Sequence, residues 1–435
     1  MSERANTIVV VGGGLAGLSA AALAARAGAR VTLVEKAGGI GGRAATQTKA
    51  GFVQNLGPHA LYRGAAGMRV LRGLGIEPRG GIPSASGGHA VAGGRLHALP
   101  GGPVSLLTTS LLGLGAKLEV GRLLARLPRV DAAAVDGVTI HDWLARTIQH
   151  EPVRRLVEAL FRLSTYVNDP RRMSAGLAVR QLQLALAHNV LYLDGGWQTL
   201  ATGLRERGEQ AGVRFVTSAR AVRVEHDGAV RAVVLADGTR LEAAATILAV
   251  DPPAVLELLG EVRDPLLAAA GRSSTPVEAA CLDVCLSRLP RPRSTFALGV
   301  DRPLYFSVHS AVAKLAPEHQ AMVHVAKYLA PDAPADGSGE ERELEGLLDL
   351  VQPGWRDVVV QRRFLPHLVV TNAGAPASSG GLRGRPAVGV RGIAGAYLAG
   401  DWVGPEGWLA DASLASGSQA ATEAAAHASS RAAAA

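Results

Sequence analysis

Cysteine is nearly absent: Cys281 and Cys285, in VEAACLDVCLSRL, are the only two. That segment alternates like a strand and puts both on one face, where they read as small buried hydrophobes. No further Cys or close His completes a disulfide framework or a metal site. A reducing compartment is the expectation. Basic runs are missing too. The formal charge is +8, yet no run of Lys or Arg exceeds two residues (Arg154 with Arg155, Arg171 with Arg172, Arg362 with Arg363). Aromatics are only 4% of the chain and do not interleave the basic residues, and no zinc or helix-turn-helix spacing appears. Nucleic acid is therefore excluded as a partner. The dispersed charge reads as surface solubility, with an anionic membrane surface left open. No run of 18 apolar residues is long enough to span a bilayer. The first residues show no basic region, uninterrupted apolar segment or cleavage site, so no signal peptide is read. The expected location is the cytoplasm, with peripheral contact at the inner face of the membrane as the alternative.

What is present describes a globular chain: 435 residues, 48% of them apolar and 19% charged, enough for two or three domains. Glycine and alanine are abundant and arginine greatly outnumbers lysine, a bias that a GC-rich genome produces. Residues 9 to 22, VVVGGGLAGLSAAA, place glycines where they cost about 0.5–1 kcal/mol each inside a helix or strand. The spacing Gly12-x-Gly14-x-x-Gly17 lies between a β-branched run (Ile8 to Val11) and an alanine-rich helical stretch (Leu15 to Ala27). In that context Gly12 permits a tight turn, Gly14 lets a pyrophosphate approach the backbone, and Gly17 lets helix pack on strand. The helix dipole then brings about +0.5 charge to the phosphates. Arg30 to Glu35 reads as a second strand ending in an acid about 20 residues further on, placed to accept hydrogen bonds from a ribose. The pattern points to a dinucleotide.

Further motifs follow. KAGGIGGRAAT is a second glycine cluster, carrying Gly42 and Arg43, and QNLGPHALY offers His59 behind a Gly-Pro turn. PVSLLTTSLLGLGAKLEVGRLLARL (103 to 127) sets Leu107, Leu111, Leu114 and Leu118 at helical spacing, continued by Leu123, Leu124 and Leu127. Core packing is the expectation, and an apolar mouth for a greasy substrate or a bilayer is the alternative. Helices are expected over Ile140 to Thr147 and Pro152 to Tyr166, the second with proline in its first turn. YLDGGWQTLATGL is a glycine turn leading into a helix. VRFVTSARAVRVEHDGAVRAVVLADGTRLEAAATILAV reads as one sheet of hairpins with turns at Asp227-Gly228 and Asp237-Gly238. A polar loop is expected from Pro331 to Glu341. Near the end, YLAGDWVGPEGWLADASLASG repeats the opening grammar of strand, glycine turn and alanine-rich helix, with Asp401 at the strand end.

Taken together, VVVGGGLAGLSAA with Glu35, GGIGGRAAT, LDGGWQTLATGL, the VRV…ILAVDPP segment and YLAGDWVGPEG…ASG resemble the flavin amine oxidase and phytoene desaturase superfamily, which also contains protoporphyrinogen oxidase. The resemblance covers nearly the whole length. It implies an α/β fold in which a discontinuous Rossmann-type FAD-binding domain (1–62, 185–255 and 390–435) carries an inserted α+β substrate-binding domain (63–184 and 256–389). It also implies FAD as cofactor. Gly12, Gly14, Leu15, Ala16 and Gly17 would hold the pyrophosphate, and Glu35 the adenosine ribose with Lys36 beside it. Gly42 and Arg43 would line the middle of the cofactor, Val222 would meet the adenine through its backbone, and Gly57, Pro58 and His59 would face the ring. Gly400 and Asp401 would bind near the pyrophosphate or ribityl chain, and the segment through Gly407, Trp408, Leu409 and Ser413 would run beside the isoalloxazine. No metal is implied. His59 and Asp411 are candidate acids or bases.

An oxidised flavin accepts hydride at N5, so the protein's part is to position a C–H bond and exclude water. Relatives that oxidise amines frame the amine with aromatic side chains, whereas Leu409 falls near that position here. With few aromatics and a leucine-rich segment, the expected partner is a small apolar substrate, isoprenoid, lipid-like or polycyclic, that undergoes desaturation. Amine oxidation, double-bond isomerisation on reduced flavin and a non-enzymatic prenyl-binding escort remain as alternatives. Oligomeric state is not legible.

Overall fold

The β-branched run after the N-terminus forms a strand, Thr7–Val11, that is buried on both faces. A two-sided burial of this kind is the signature of a parallel sheet covered by helices. The computed structural model describes residues 6–84, 87–332 and 336–433, and in it Thr7–Val11 is the central strand of five. The order is Arg214–Val216, Arg30–Val34, Thr7–Val11, Ala245–Leu248, Ala396–Leu398, and every pairing is parallel. Strands from the start, middle and end of the chain thus share one sheet.

Two alanine-rich helices explain how those distant segments are held. Leu15–Arg26 and Ala410–Ala433 pack against each other so closely that a methyl group on Gly417 would stand 2.5 Å from the carbonyl oxygen of Ala16. Small side chains let the backbones approach, and larger ones would separate them. Helix Gln198–Gln210, with the strand Val190–Leu193 before it, follows the Gly195-Gly196 turn as the sequence implies.

The expected single sheet of hairpins is corrected. Only Ala221–His226, Val230–Leu235 and Arg240–Glu242 form an antiparallel meander, with turn glycines Gly228 and Gly238 at positive φ. The flanking strands Arg214–Val216 and Ala245–Leu248 belong to the parallel sheet instead. Ala245–Leu248 is buried at every position, so its side chains meet helices on both faces rather than solvent on one.

The second unit is a seven-stranded sheet in the order Val359–Thr371, Val277–Leu286, Ala321–Tyr328, Leu304–Val308, Phe296–Gly299, His89–Ala92, Arg95–Ala98. Its pairings are antiparallel except that between His89–Ala92 and Phe296–Gly299. Cys281 and Cys285 lie on Val277–Leu286, buried and with free thiols, and Gly337–Val351 packs on this sheet. The expected polar loop therefore ends at Gly337, where a helix begins with Asp336 accepting from Gly339 N–H at its N-cap; residues 333–335 of it lie outside the described residues. A helical cluster completes the unit: Ile140–Thr147, Glu151–Thr165 and Ala175–His188, the last capped by Ser174 accepting from Leu177 N–H. The protein is thus α/β, a parallel Rossmann-type sheet joined to an α+β unit.

The leucine-rich segment also differs from expectation. It forms two helices, Pro103–Thr108 and Leu114–Arg126, separated by residues 109–113. Leu112 and Leu127 are core residues, and Leu111 and Leu123 pack against that core. Leu107, Leu114 and Leu118 face solvent. Helical spacing marks a shared face without saying which side of the helix is covered, and here an outward face is apolar as well.

Candidate active site

The glycine turn shapes one end of a cavity of 920 Å³. Gly12 has φ +107°, and a methyl group there would lie 2.4 Å from the Ala249 carbonyl oxygen. Its N–H donates to Val34 O at 2.8 Å, and Gly13 N–H donates to Glu35 Oε2 at 2.7 Å. Gly41 N–H donates to Gly13 O at 2.8 Å, which brings the second glycine cluster beside the first. At Gly17 an added methyl would stand 1.9 Å from Gly12 O, whereas at Gly14 it would meet no protein atom within 4 Å. Gly17 is therefore a packing glycine, and Gly14 fronts the cavity.

This end fits a diphosphate. Helix Leu15–Arg26 has no side-chain N-cap and no acid in its first turn, so its first N–H groups are free to meet an anion, and Gly14, Leu15 and Ala16 line the cavity. Uncapped N–H groups at a helix start, reached across a glycine without a side chain, form an anion cradle. Glu35 and Lys36 line the same cavity. The Glu35 carboxylate also accepts from Ala37 N–H at 2.8 Å, which fixes it at the strand end.

Arg43 and Asp401 meet in the middle. Arg43 Nη1 lies 2.7 Å from Asp401 Oδ2 and donates to Val370 O at 3.0 Å. Asn372 Nδ2 donates to Asp401 Oδ1 at 3.0 Å. Burial alone would raise the Asp401 carboxyl, but the Arg43 guanidinium, with help from Thr371 and Arg385, holds it below the usual carboxylate range. It is a buried anion, fully paired. The loop before it is tied to the last helix, since Gly400 N–H donates to Ser416 Oγ at 2.9 Å.

His59 and Asp411 both line the cavity. Burial pulls the His59 imidazole down to about 4; the Gly57 carbonyl and Asp283 oppose this, and His324 and Arg43 add to it. Nδ1 lies 3.1 Å from Gly57 O, and a carbonyl only accepts, so Nδ1 carries the proton of a neutral ring. The ring packs on Trp197 with centroids 5.0 Å apart. Asp411, in the first turn of the last helix, accepts from Gly67 N–H at 2.8 Å through Oδ1. Burial raises its carboxyl to about 7, with Gly67 and Arg69 opposing.

Of the residues assigned from sequence, Gly12, Gly14, Leu15, Ala16, Glu35, Lys36, Gly42, Arg43, Pro58, His59, Val222, Gly400, Asp401, Leu409, Asp411 and Ser413 line this one cavity. Gly17, Gly57, Gly407 and Trp408 do not; they stand behind its wall. The Trp408 ring is fully buried, its Nε1–H donating to Thr165 O at 2.9 Å, and the Arg385 guanidinium lies 4.9 Å from its centroid. A methyl on Gly57 would lie 2.8 Å from Leu368 Cδ2. Sequence reasoning missed Leu56, Tyr62, Tyr166, Trp197 and Leu368 in the lining. Trp197 adjoins the Gly195-Gly196 turn and could have been flagged by that position. Tyr166 and Leu368 come from elements whose approach no local pattern shows. Tyr166 and Leu409 both have positive φ, 64° and 56°, a strained conformation for large side chains.

Parallel sheet, glycine turn, uncapped helix and strand-end acid define a dinucleotide-binding protein, and the second glycine cluster extends the same cavity along a longer cofactor. A family model described as flavin containing amine oxidoreductase matches residues 15–282, more than half of the chain, and the chain belongs to this family. A coproporphyrinogen III oxidase from Propionibacterium freudenreichii subsp. freudenreichii is 34% identical over 142 residues, 29% of this chain and 26% of that protein. A hydroxyneurosporene desaturase from Rhodobacter capsulatus is 30% identical over 305 residues, 61% of this chain and 59% of its own length. The chain thus spans about a quarter to three-fifths of these curated relatives. An oxidoreductase of known structure from Methanosarcina mazei shares the fold with TM-score 0.75 at 17% identity, covering 96% of this chain and all of the other. The cofactor that family and cavity agree on is FAD.

Two substitutions separate the glycine roles. Gly14→Ala should leave the melting temperature of the apoprotein unchanged and weaken FAD binding by about tenfold, or ~1.4 kcal/mol, whereas Gly17→Ala should destabilise the fold itself by ~3 kcal/mol. FAD titration beside thermal melts reads both, and equal FAD affinity in the Gly14 variant would remove the cradle.

Asp411 gives a pH signature. Its folded-state carboxyl titrates near 7 rather than 3.8, so between about pH 4 and 7 the folded state binds more protons than the unfolded one. Stability from this group is full below pH 4 and is lost as pH rises through 7. Asp411→Asn keeps an acceptor for Gly67, and its melting temperature should rise relative to wild type across that window. Parallel curves would show that Asp411 is not the titrating group.

Proposed function

We propose that the protein is an FAD-dependent oxidoreductase that takes hydride from a C–H bond of an apolar substrate, isoprenoid, lipid-like or polycyclic, in a desaturation. The observation that carries this reading is the composition of the cavity around His59. Leu56, Pro58, Leu61, Tyr166, Leu368 and Leu409 line it, walls that favour hydrocarbon over water. A cationic amine would call for paired aromatic faces or a free carboxylate. The Tyr166 ring is met edge-on by Tyr328 with centroids 5.6 Å apart and Trp197 packs on His59, so these rings pack among themselves; Asp401 is already paired with Arg43, and burial raises the Asp411 carboxyl to about 7.

When bound, the flavin supplies a hydride acceptor. The chain's own residues do the rest. Arg43 and Asp401 would hold the central span of the cofactor, and the uncapped helix start would hold its diphosphate. Leu368, Leu409 and Tyr166 hold the substrate and exclude water. A carbon that has lost hydride must also lose a proton from its neighbour to complete a double bond. Asp411 suits that step, since a carboxyl titrating near 7 can accept at Oδ2 while Oδ1 keeps the Gly67 N–H. His59, neutral and titrating near 4, is a weak base and serves as a fixed wall on Trp197. The hydroxyneurosporene desaturase and coproporphyrinogen III oxidase among the relatives carry names of large, carbon-rich compounds, which supports the choice of substrate class.

Anaerobic mixing of the FAD-loaded protein with isoprenoids, porphyrinogens and primary amines should bleach the flavin absorbance with a member of the first two groups alone. Bleaching by an amine and by no hydrocarbon would overturn the assignment.

A further inference from the structure

Among the described residues, four large apolar side chains are more than 60% exposed: Val104 (75%), Leu107 (73%), Leu114 (82%) and Leu118 (63%). All lie within fifteen positions, on Pro103–Thr108 and Leu114–Arg126. The first of these helices buries none of its six residues. The second turns Ala116 and Val120 inward and Leu114 and Leu118, four apart, outward. An ordinary surface helix is polar on its outer side. Lys117 Nζ donates to Leu107 O at 2.6 Å, tying the end of the first helix to the second. An apolar cluster of this kind marks an interaction surface.

The surrounding charge says what covers it. Lys117, Arg122, Arg126 and Arg129 lie on or just after the second helix, and the three arginines are exposed. The single acid of that helix, Glu119, is turned inward, accepting from Gln149 N–H at 2.6 Å and His150 N–H at 2.9 Å. Arg122 and Arg126 continue the four-residue row of Leu114 and Leu118 along the same outward face, so the exposed leucines run into positive charge, with Asp131 the exposed acid that follows Arg129. A second copy docked on the same patch would set arginine against arginine. A lipid surface with anionic headgroups matches both parts, apolar side chains entering the acyl boundary and cations meeting the headgroups. We propose that Pro103–Thr108 and Leu114–Arg126 dock this protein on an anionic bilayer.

The placement also connects to the cavity. The inward residues Leu112, Ala116 and Val120 belong to the same packed core as Trp408, against which Tyr166 and Leu409 lie, and these last two line the cavity. Delivery of an apolar substrate from the bilayer rests on the function proposed above; the docking itself does not.

Sedimentation of the FAD-loaded full chain with extruded phosphatidylcholine vesicles, with and without 30% phosphatidylglycerol, tests it. The wild type should bind the phosphatidylglycerol vesicles. The double variant Leu114→Asp, Leu118→Asp should lose at least tenfold in vesicle affinity with unchanged circular dichroism and FAD content. Arg122→Ala with Arg126→Ala should lose about 25-fold, about fivefold for each charge. Leu107→Trp, with no charge placed on a helix, should show a blue-shifted emission on adding the same vesicles. Failure of the wild type to sediment, undiminished binding by the leucine variant, an unshifted indole, or a dimer in sedimentation velocity that the leucine substitutions abolish would each overturn the proposal. Flavin bleaching by detergent-dispersed substrate is read separately and is expected to be equal in all variants.

Discussion

Gly17 stands where a single methyl would press within 1.9 Å of the Gly12 carbonyl oxygen, and that near-contact decides where the first helix can begin. Because the helix starts against the strand, its uncapped N–H groups open onto the cavity instead of into a longer loop. The last helix must then approach from the other side, which Gly417 permits by lying against Ala16 and Ser19. Two glycines some 400 residues apart thus bring the ends of the chain to one cavity, and the Arg43–Asp401 pair closes it.

The charge within the cavity is arranged by burial as much as by composition. Asp401 keeps its charge because Arg43 and Arg385 face it, whereas Asp411, on the helix that follows and without a direct ion pair, is pushed toward neutrality. His59 is driven to the neutral form by the same desolvation. The diphosphate end is consequently polar and fixed, and the cavity around His59 sets apolar walls beside the Asp411 carboxyl. That asymmetry would orient a long cofactor along the cavity in the reading proposed above.

Much of this was legible in the sequence, and for identifiable reasons. Backbone requirements leave sharp traces: a positive φ at Gly12, an open approach at Gly14 and a close contact at Gly17 each demand glycine, so spacing alone located the turn. Glu35 and Asp401 were legible because each closely follows a strand, Arg30–Val34 and Ala396–Leu398. Long-range pairing was not. Ala245–Leu248 and Arg214–Val216 look like their hairpin neighbours; the first is set apart by burial at every position, and the second, a half-exposed edge strand, only by its parallel pairing with Arg30–Val34. Trp408 sits in a motif of the cofactor site yet turns its ring into the core to reach the Thr165 carbonyl. Leu107, Leu114 and Leu118 kept the helical period expected of a core while facing outward, because a period carries no information on what lies opposite. His59 and Asp411 were found by residue type, but their protonation is set by neighbours such as Gly57 and Gly67 that folding supplies.

The central claim is that both ends of the chain close on one FAD. Unfolding the purified protein and separating the released small molecules by chromatography tests it most directly. The account predicts a yellow preparation that releases FAD, one molecule per chain. A colourless protein that takes up no FAD when offered it, or one that releases a mononucleotide flavin, would contradict it.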